Sequence, residues 1–205
     1  MCGIVGYVGT KDTTPLLIEG LRRLEYRGYD SAGVAVMNGS GVQMRRAAGK
    51  IARLEQALAA EPAHGTVGIG HTRWATHGPP VERNAHPHTD EQRTIAVVHN
   101  GIIENSTALK QSLEGRGHVF TSDTDTEVLA HLVEELFEGS LEDAVVQALK
   151  RVEGTYGIAV ISSLDPDKIV AARKGSPLLI GIGQGEWFVA SDVSAILAHT
   201  RDVVY

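Results

Sequence analysis

Cysteine is nearly absent from this sequence: one residue in 205, and it stands at position 2. No internal disulfide can form, so nothing in the chain asks for an oxidising compartment, and a cytoplasmic setting is expected. Also missing is any apolar run of about 18 residues, which excludes a conventional membrane-spanning helix. The N-terminus carries no charged stretch followed by an apolar core, so no signal peptide is read there. Lys and Arg (19) are outnumbered by Asp and Glu (25) and are scattered, giving a formal net charge of −6. That balance lacks the basic footprint of a nucleic-acid binder. Neither nucleic acid nor membrane is therefore expected as a partner. What remains is ordinary globular composition, with 42% apolar and 21% charged residues. It suffices for a single domain over 1–205 with its own core.

The pattern of elements is strands first, helices in the middle, and strands again. Residues 2–8 read as a buried strand, and 15–26 as a helix with Leu17, Leu21 and Leu24 on one face. "AGVAVM" and "GVQMRR" flank the turn "NGSG" as a hairpin, and Ile51, Leu54 and Leu58 mark a helix over 50–60. "TVGIGHT" and "TIAVVHN" read as strands separated by a polar loop over 72–93, a length that is usually functional. Thr124 and Glu127 have capping-box spacing ahead of Val128, Leu129, Leu132, Val133 and Leu136, and a second helix is expected over about 141–152. Four strands ("YGIAVISS", "KIVAARK", "PLLIGIG", "EWFVAS") and a short helix near 193–198 follow. The chain stops at "TRDVVY", in what reads as the start of another strand and so as a fragment. This order is not the alternation of a parallel sheet. It predicts an α+β fold of packed antiparallel sheets covered by helices.

Cys2 can carry chemistry if Met1 is trimmed. It would then hold a thiol, nucleophilic as thiolate, beside a free α-amine of pKa roughly 7.7–8.0 that accepts a proton at neutral pH. The amine would stand in for the histidine of a Cys–His pair. Gly3 suits close approach of a ligand to the backbone. The plain alternative is a small buried hydrophobe at the start of a strand.

Further segments suit chemistry on an amide. Asn100 and Gly101 offer a side-chain amide and a backbone N–H for a developing oxyanion, although Asn-Gly is equally a hairpin turn. Arg73 offers a bidentate fork for a carboxylate or is a surface charge. Asp125 or Asp123 offers an anion for an ammonium, or merely favours the positive end of a helix. Trp74 is a ligand contact or core packing. His71, His77, His86 and His88 invite a metal reading, but their spacing matches no ligand motif, and no metal is expected.

Taken together, "MCGIVGYVG", "RRLEYRGYDSAG", "HTRWATHG", "NAHPH", "VVHNGIIEN" and "SDTDTEV" resemble, in order, the glutaminase domain of the glutamine–fructose-6-phosphate transaminase (isomerising) family. The wider class is that of the N-terminal nucleophile amidotransferases. The resemblance implies a four-layer α/β/β/α sandwich of antiparallel sheets. It implies Cys2 as nucleophile, its α-amine as base, and Asn100 with Gly101 as oxyanion hole. Arg73, with Thr76 and His77, would hold the α-carboxylate of L-glutamine, and Asp125 its α-ammonium. Gly78-Pro79-Pro80 would belong to a closing loop, Trp74 would gate ammonia, and His86 and Arg27 would lie near the site. No cofactor is implied. The implied acceptor of ammonia is a sugar-isomerase part carrying fructose 6-phosphate, absent from these residues, in a homo-oligomeric full-length enzyme.

Overall fold

The computed structural model describes residues 2–39, 41–75 and 77–205. Its strands are β1 (Gly3–Val8), β2 (Ser31–Asn38), β3 (Gly41–Ala48), β4 (Val67–Arg73), β5 (His88–Thr89), β6 (Ile95–Ile103), β7 (Gly154–Ser162), β8 (Val170–Lys174), β9 (Leu179–Ile182), β10 (Trp187–Ala190) and β11 (Asp202–Val204). Among the described residues five α-helices intervene: α1 (Thr13–Leu24), α2 (Ile51–Ala60), α3 (Ser106–Glu114), α4 (Glu127–Glu135) and α5 (Leu141–Leu149). The strands form two sheets, one of seven in the order β11-β9-β10-β1-β4-β2-β3 and one of four in the order β5-β6-β7-β8. All the strand pairs are antiparallel.

The period-2 alternation of the strands dictates how these elements stack. In β1, Val5 and Tyr7 pack with Leu17, Leu21 and Leu24 of α1 and Leu54 of α2, while Ile4 points the other way. In β2, Val34 and Val36 share that helix-covered layer, and Ala35 and Met37 face inward. On the smaller sheet, Val97, Ile158 and Val160 meet Leu113 of α3, Val128 and Leu132 of α4 and Val145 of α5. Their neighbours Ala96, Val98, Ala159 and Ile161 join Ile4, Ala35 and Ile69 in a central layer between the sheets. The result is α/β/β/α, the predicted order of layers.

Local chemistry sets the helix ends. Arg22 and Arg23 occupy the last turn of α1, where cations suit the helix dipole. Ser140 caps α5 by accepting the Asp143 N–H at 3.2 Å, with Glu142 and Asp143 in the first turn. The capping-box reading of Thr124 is corrected. Helix α4 starts at Glu127, and the Glu127 carboxylate turns back to accept the N–H groups of Thr121 (2.9 Å) and Ser122 (2.7 Å). Glu127 thus caps the preceding loop. The expected helix near 193–198 is a single 3-10 turn at Val193–Ala195, and the chain's last strand, β11, pairs with β9.

Two glycines matter for the geometry that follows. A Cβ on Gly3 would lie 2.7 Å from both Leu24 Cβ and Thr72 Oγ1. Packing of α1 onto β1 therefore requires a glycine there, a reason the sequence reading did not supply. Gly101 has φ +133°, and its Cβ would sit 2.1 Å from the Thr155 carbonyl oxygen. Asn100 and Gly101 do not form a turn. They lie within β6, opposite Gly157 and Tyr156 of β7.

Candidate active site

The ends of β1 and β4 on one sheet meet β6 on the other, and the residues at this junction line a cavity of about 380 Å³. Cys2, Arg27, Arg73, Trp74, His77, His86, Asn100, Gly101 and Asp125 all contribute to its wall. Every residue that the resemblance assigns to the site is thus gathered there except Thr76, which lies outside the described residues; Asp123, the other candidate for the ammonium, pairs instead with Arg83 and Asn84, at 2.8 and 3.2 Å.

Cys2 sits immediately before β1, partly exposed. Trp74 brackets its sulfur: the Trp74 N–H points at Sγ from 3.2 Å, and the thiol faces the Trp74 carbonyl at 3.6 Å. Burial raises the thiol pKa, and the Trp74 backbone contact pulls it back only in part. The sulfur is therefore held as thiol and needs a base to become a nucleophile.

Asn100 crosses between the sheets. Its Nδ2 donates to the Cys2 carbonyl at 3.2 Å, and its Oδ1 lies 3.0 Å from His71 Nε2. The same His71 nitrogen is 3.1 Å from the His99 carbonyl, so it faces two acceptors and carries the proton. His71 is fully buried, and desolvation drives its pKa down to about 3, so the ring stays neutral. A neutral Nε2–H donor fixes which way the Asn100 amide points. Its nitrogen faces Cys2.

His71 stacks on His86, with ring centroids 4.2 Å apart, and His86 in turn meets His88 edge-on at 4.8 Å. His86 Nδ1 accepts the His99 N–H at 3.3 Å, and His88 Nε2 contacts Thr124 Oγ1 at 3.0 Å. Burial lowers the pKa of all four of these histidines, first through desolvation. Of the histidines that invited a metal reading, His77 lines the cavity, while His71, His86 and His88 join His99 in a set of neutral rings, each tied to a backbone or hydroxyl group. His86 belongs to the floor of the site.

Arg73 is the last residue of β4 and only 3% exposed, so it is neither in the loop nor at the surface, where the sequence reading left room for it. Its guanidinium donates to the carbonyl of His77 and to those of Gly78 and Pro79, at 3.3 and 3.4 Å. The loop of the Gly-Pro-Pro stretch is thereby wrapped around a cation. Asp125 is not a helix dipole partner in the first turn, since α4 begins two residues later. Its Oδ2 accepts the Ile103 N–H at 2.8 Å, which ties the loop before α4 to the end of β6. Arg27 pairs with Asp192 at 3.1 Å, and Trp74 packs edge-on against Tyr29 with centroids 5.7 Å apart while remaining half exposed.

Sequence reasoning missed two supporting residues. Asp30 accepts the Ala75 N–H and the Ser31 hydroxyl, the latter at 2.9 Å, and its own N–H donates to the Arg73 carbonyl at 3.2 Å. It therefore holds the segment whose backbone brackets the Cys2 sulfur. An acidic residue inside "RGYDSAG" was the available signal. His99, next to Asn100, contacts Thr126 Oγ1 at 2.9 Å and lies beside the Thr155 carbonyl at 3.4 Å. Nothing in its local sequence marks it.

A family model described as a glutamine amidotransferase domain matches residues 71–198. The chain belongs to that family. Among curated relatives, glutamine–fructose-6-phosphate aminotransferase (isomerizing) of Chlorobaculum tepidum is 58% identical over 212 residues, covering all of this chain and 34% of its own length. A protein of the same name from Thermus thermophilus is 56% identical over 205 residues, with the same coverage of both chains. The chain spans about a third of the length of the curated relatives it matches. Among solved structures, the glutamine PRPP amidotransferase from B. subtilis complexed with ADP and GMP superposes with a TM-score of 0.83 at 29% identity. That likeness covers 97% of this chain and 44% of the other. A glutamine aminotransferase class-II domain protein from Silicibacter pomeroyi, at 18% identity and a TM-score of 0.62, shares the fold. The amidotransferase domain is thus an α+β sandwich of N-terminal nucleophile type. No helix among the described residues is long and apolar enough to cross a membrane.

Within this amidotransferase domain, Gly101→Ala tests the strand geometry. The added methyl meets a backbone oxygen and the φ is strained, which is expected to cost roughly 1–3 kcal/mol. A lowered denaturant midpoint with glutamine turnover reduced in the same protein is the expected outcome. An unchanged midpoint would show that β6 relaxes freely there.

Proposed function

We propose that the chain, once Met1 is removed, hydrolyses the side-chain amide of L-glutamine to glutamate and ammonia. The observation that carries this reading is the approach of the Asn100 amide to Cys2 across the two sheets, in one cavity with Arg73 and Asp125. The Cys2 α-amine takes the thiol proton as sulfur attacks the amide carbon, and the oxyanion accepts hydrogen bonds from Asn100 Nδ2 and the Gly101 N–H. Collapse of the tetrahedral intermediate breaks the C–N bond, the amine returns the proton to the leaving group, and ammonia departs. A γ-glutamyl thioester remains. The same amine then takes a proton from water, hydroxide adds to the thioester carbonyl, and glutamate leaves as the thiol is regenerated.

Recognition of the free amino acid needs both charges answered. Arg73 holds the α-carboxylate together with Thr76 and His77, and Asp125 holds the α-ammonium. Because Arg73 already gathers the carbonyls of residues 77–79, carboxylate binding and placement of that loop are linked through one guanidinium. Trp74 and Arg27 border the exit, with Trp74 half exposed at the cavity wall. The ammonia passes to fructose 6-phosphate in a sugar-isomerase part supplied by the remaining length of a protein like the curated relatives, in a homo-oligomeric cytoplasmic enzyme.

The test is a glutaminase assay read beside intact mass. Protein lacking Met1 is expected to release glutamate from glutamine, and protein retaining Met1 to release essentially none, because its base is locked in a peptide bond. Equal rates from the two forms would overturn the assignment of the base, and no glutamate from either would overturn the activity.

A further inference from the structure

We propose that His118, His131 and Glu134 form a binding site for a divalent transition metal, zinc by preference, on the helical face of the smaller sheet. These residues lie away from the amide-binding cavity, and the proposal is independent of the glutaminase reading. Among the described residues they are the one group of three metal-ligating side chains gathered this closely, with ligand atoms within 4.8 Å of one another. His131 and Glu134 sit three apart on α4 and so share a face. His118 reaches them from the turn that follows α3.

The geometry is that of donors converging on a point. His118 Nδ1 and His131 Nδ1 are 3.2 Å apart, and Glu134 Oε2 lies 3.5 Å from the first and 3.9 Å from the second. Tetrahedral ligands about 2.0–2.2 Å from a zinc ion stand about 3.3–3.6 Å from one another. The imidazole planes cross at 75°, so the two nitrogens approach while the rings stay clear of each other.

One of the two opposite ring nitrogens is held. His118 Nε2 faces Glu135 Oε2 at 3.4 Å, which favours the proton there and turns the Nδ1 lone pair towards His131 and Glu134. His131 Nε2 is buried with no hydrogen-bond partner, and Glu127 Oε1 lies 3.9 Å from it. The short contact between the two Nδ1 atoms is bridged by one proton, and a cation can take that proton's place with all three ligand atoms around it. The Glu135 carboxylate is the kind of outer partner that a metal-bound imidazole takes.

The surroundings suit a structural site with access. His131 is fully buried under the Phe120 ring, whose centroid lies 4.5 Å from its own, while the His118 and Glu134 side chains are 15% and 25% exposed. An ion can enter from that side and complete its shell with water. Bound there, it fastens the start of the 118–126 loop to α4. The same loop carries Thr124, Asp125 and Thr126 of the cavity wall.

The experiment uses Cys2→Ala protein, so that the thiol does not compete for metal. The protein is stripped with chelator, dialysed against micromolar zinc chloride, and its zinc is counted by mass spectrometry. About one zinc per chain is expected, with affinity falling tenfold or more in His118→Ala and again in Glu134→Gln, both at partly exposed positions. The thermal midpoint of the Cys2→Ala protein is expected to rise with zinc, and that of the two further variants to stay put. Circular dichroism of each variant verifies the fold. Zinc content equal in all three proteins overturns the site, as does zinc absent from all; the close contact then holds a proton between two imidazoles.

Discussion

Cys2→Ala is expected to stop glutamate release, with turnover falling roughly 10⁴-fold or more, while glutamine still binds. The size follows from the position of the residue. Its sulfur is the only thiol in the chain, and the Trp74 backbone already aims at it from 3.2 Å. Among the described residues that line the cavity there is no second thiol. Arg73 and Asp125, which we propose answer the charges of the amino acid, are untouched by the change, so affinity should survive. Rapid-quench measurement of glutamate beside calorimetric titration with glutamine separates the two quantities. Turnover within tenfold of the unaltered protein would move the nucleophile elsewhere.

Acid is expected to unfold the protein well above the pH at which ordinary carboxylates titrate. His71 and His88 are buried, and desolvation lowers both pKa values to about 3. In the unfolded chain each returns to about 6.5. Between these limits the unfolded state binds more protons than the folded one, so stability rises with pH and is lost as pH falls from about 6.5 towards 3. Each such histidine contributes a slope of about 1.4 kcal/mol per pH unit in that window. His86 and His99 shift the same way through the same desolvation and steepen the loss. Glu127, whose pKa is about 2, adds in the same sense below pH 4.5: burial raises it, but the neighbouring His131 ring and hydrogen bonds from Ser122 and Thr121 prevail. Urea midpoints measured from pH 7.5 to 4.5 check this. A flat profile over that range would mean the rings are hydrated and charged in the fold.

The parts of the molecule legible in the sequence are those written in apolar periodicity. Leu17, Leu21 and Leu24 gave α1, and the apolar run in "TIAVVHN" gave β6. Helix α3 escaped because of its apolar residues only Leu113 is fully buried, and its other faces are polar. The stretch over 72–93 read as a loop because no apolar period marks it; beyond the end of β4 at Arg73, hydrogen bonds and the packed rings of His86 and His88 order it. Asn84 donates to the Pro79 carbonyl at 3.0 Å and accepts the Asp123 N–H at 2.9 Å, and Asp90 takes the Ile95 N–H at 2.6 Å. Two of these pairs are five residues apart and one is 39 apart, and none leaves a periodic trace. The residues that line the cavity were picked out by motif, whereas Asp30 acts through its partners beside the paired ends of β2 and β4, and His71 and His99 through contacts that exist only once the elements have packed.

Cys2 and Asn100 belong to different sheets, and their separation is set by what fills the space between those sheets. Ile4, Ala35, Ala96, Val98 and Ala159 act there as shims. Small residues on one side seat larger ones on the other, and the gauge of that filling fixes how closely sulfur and amide approach. The reaction's tolerance is therefore machined into a layer that no substrate ever touches. Drift in the volume of those alanines would detune catalysis while leaving every residue at the cavity wall unchanged.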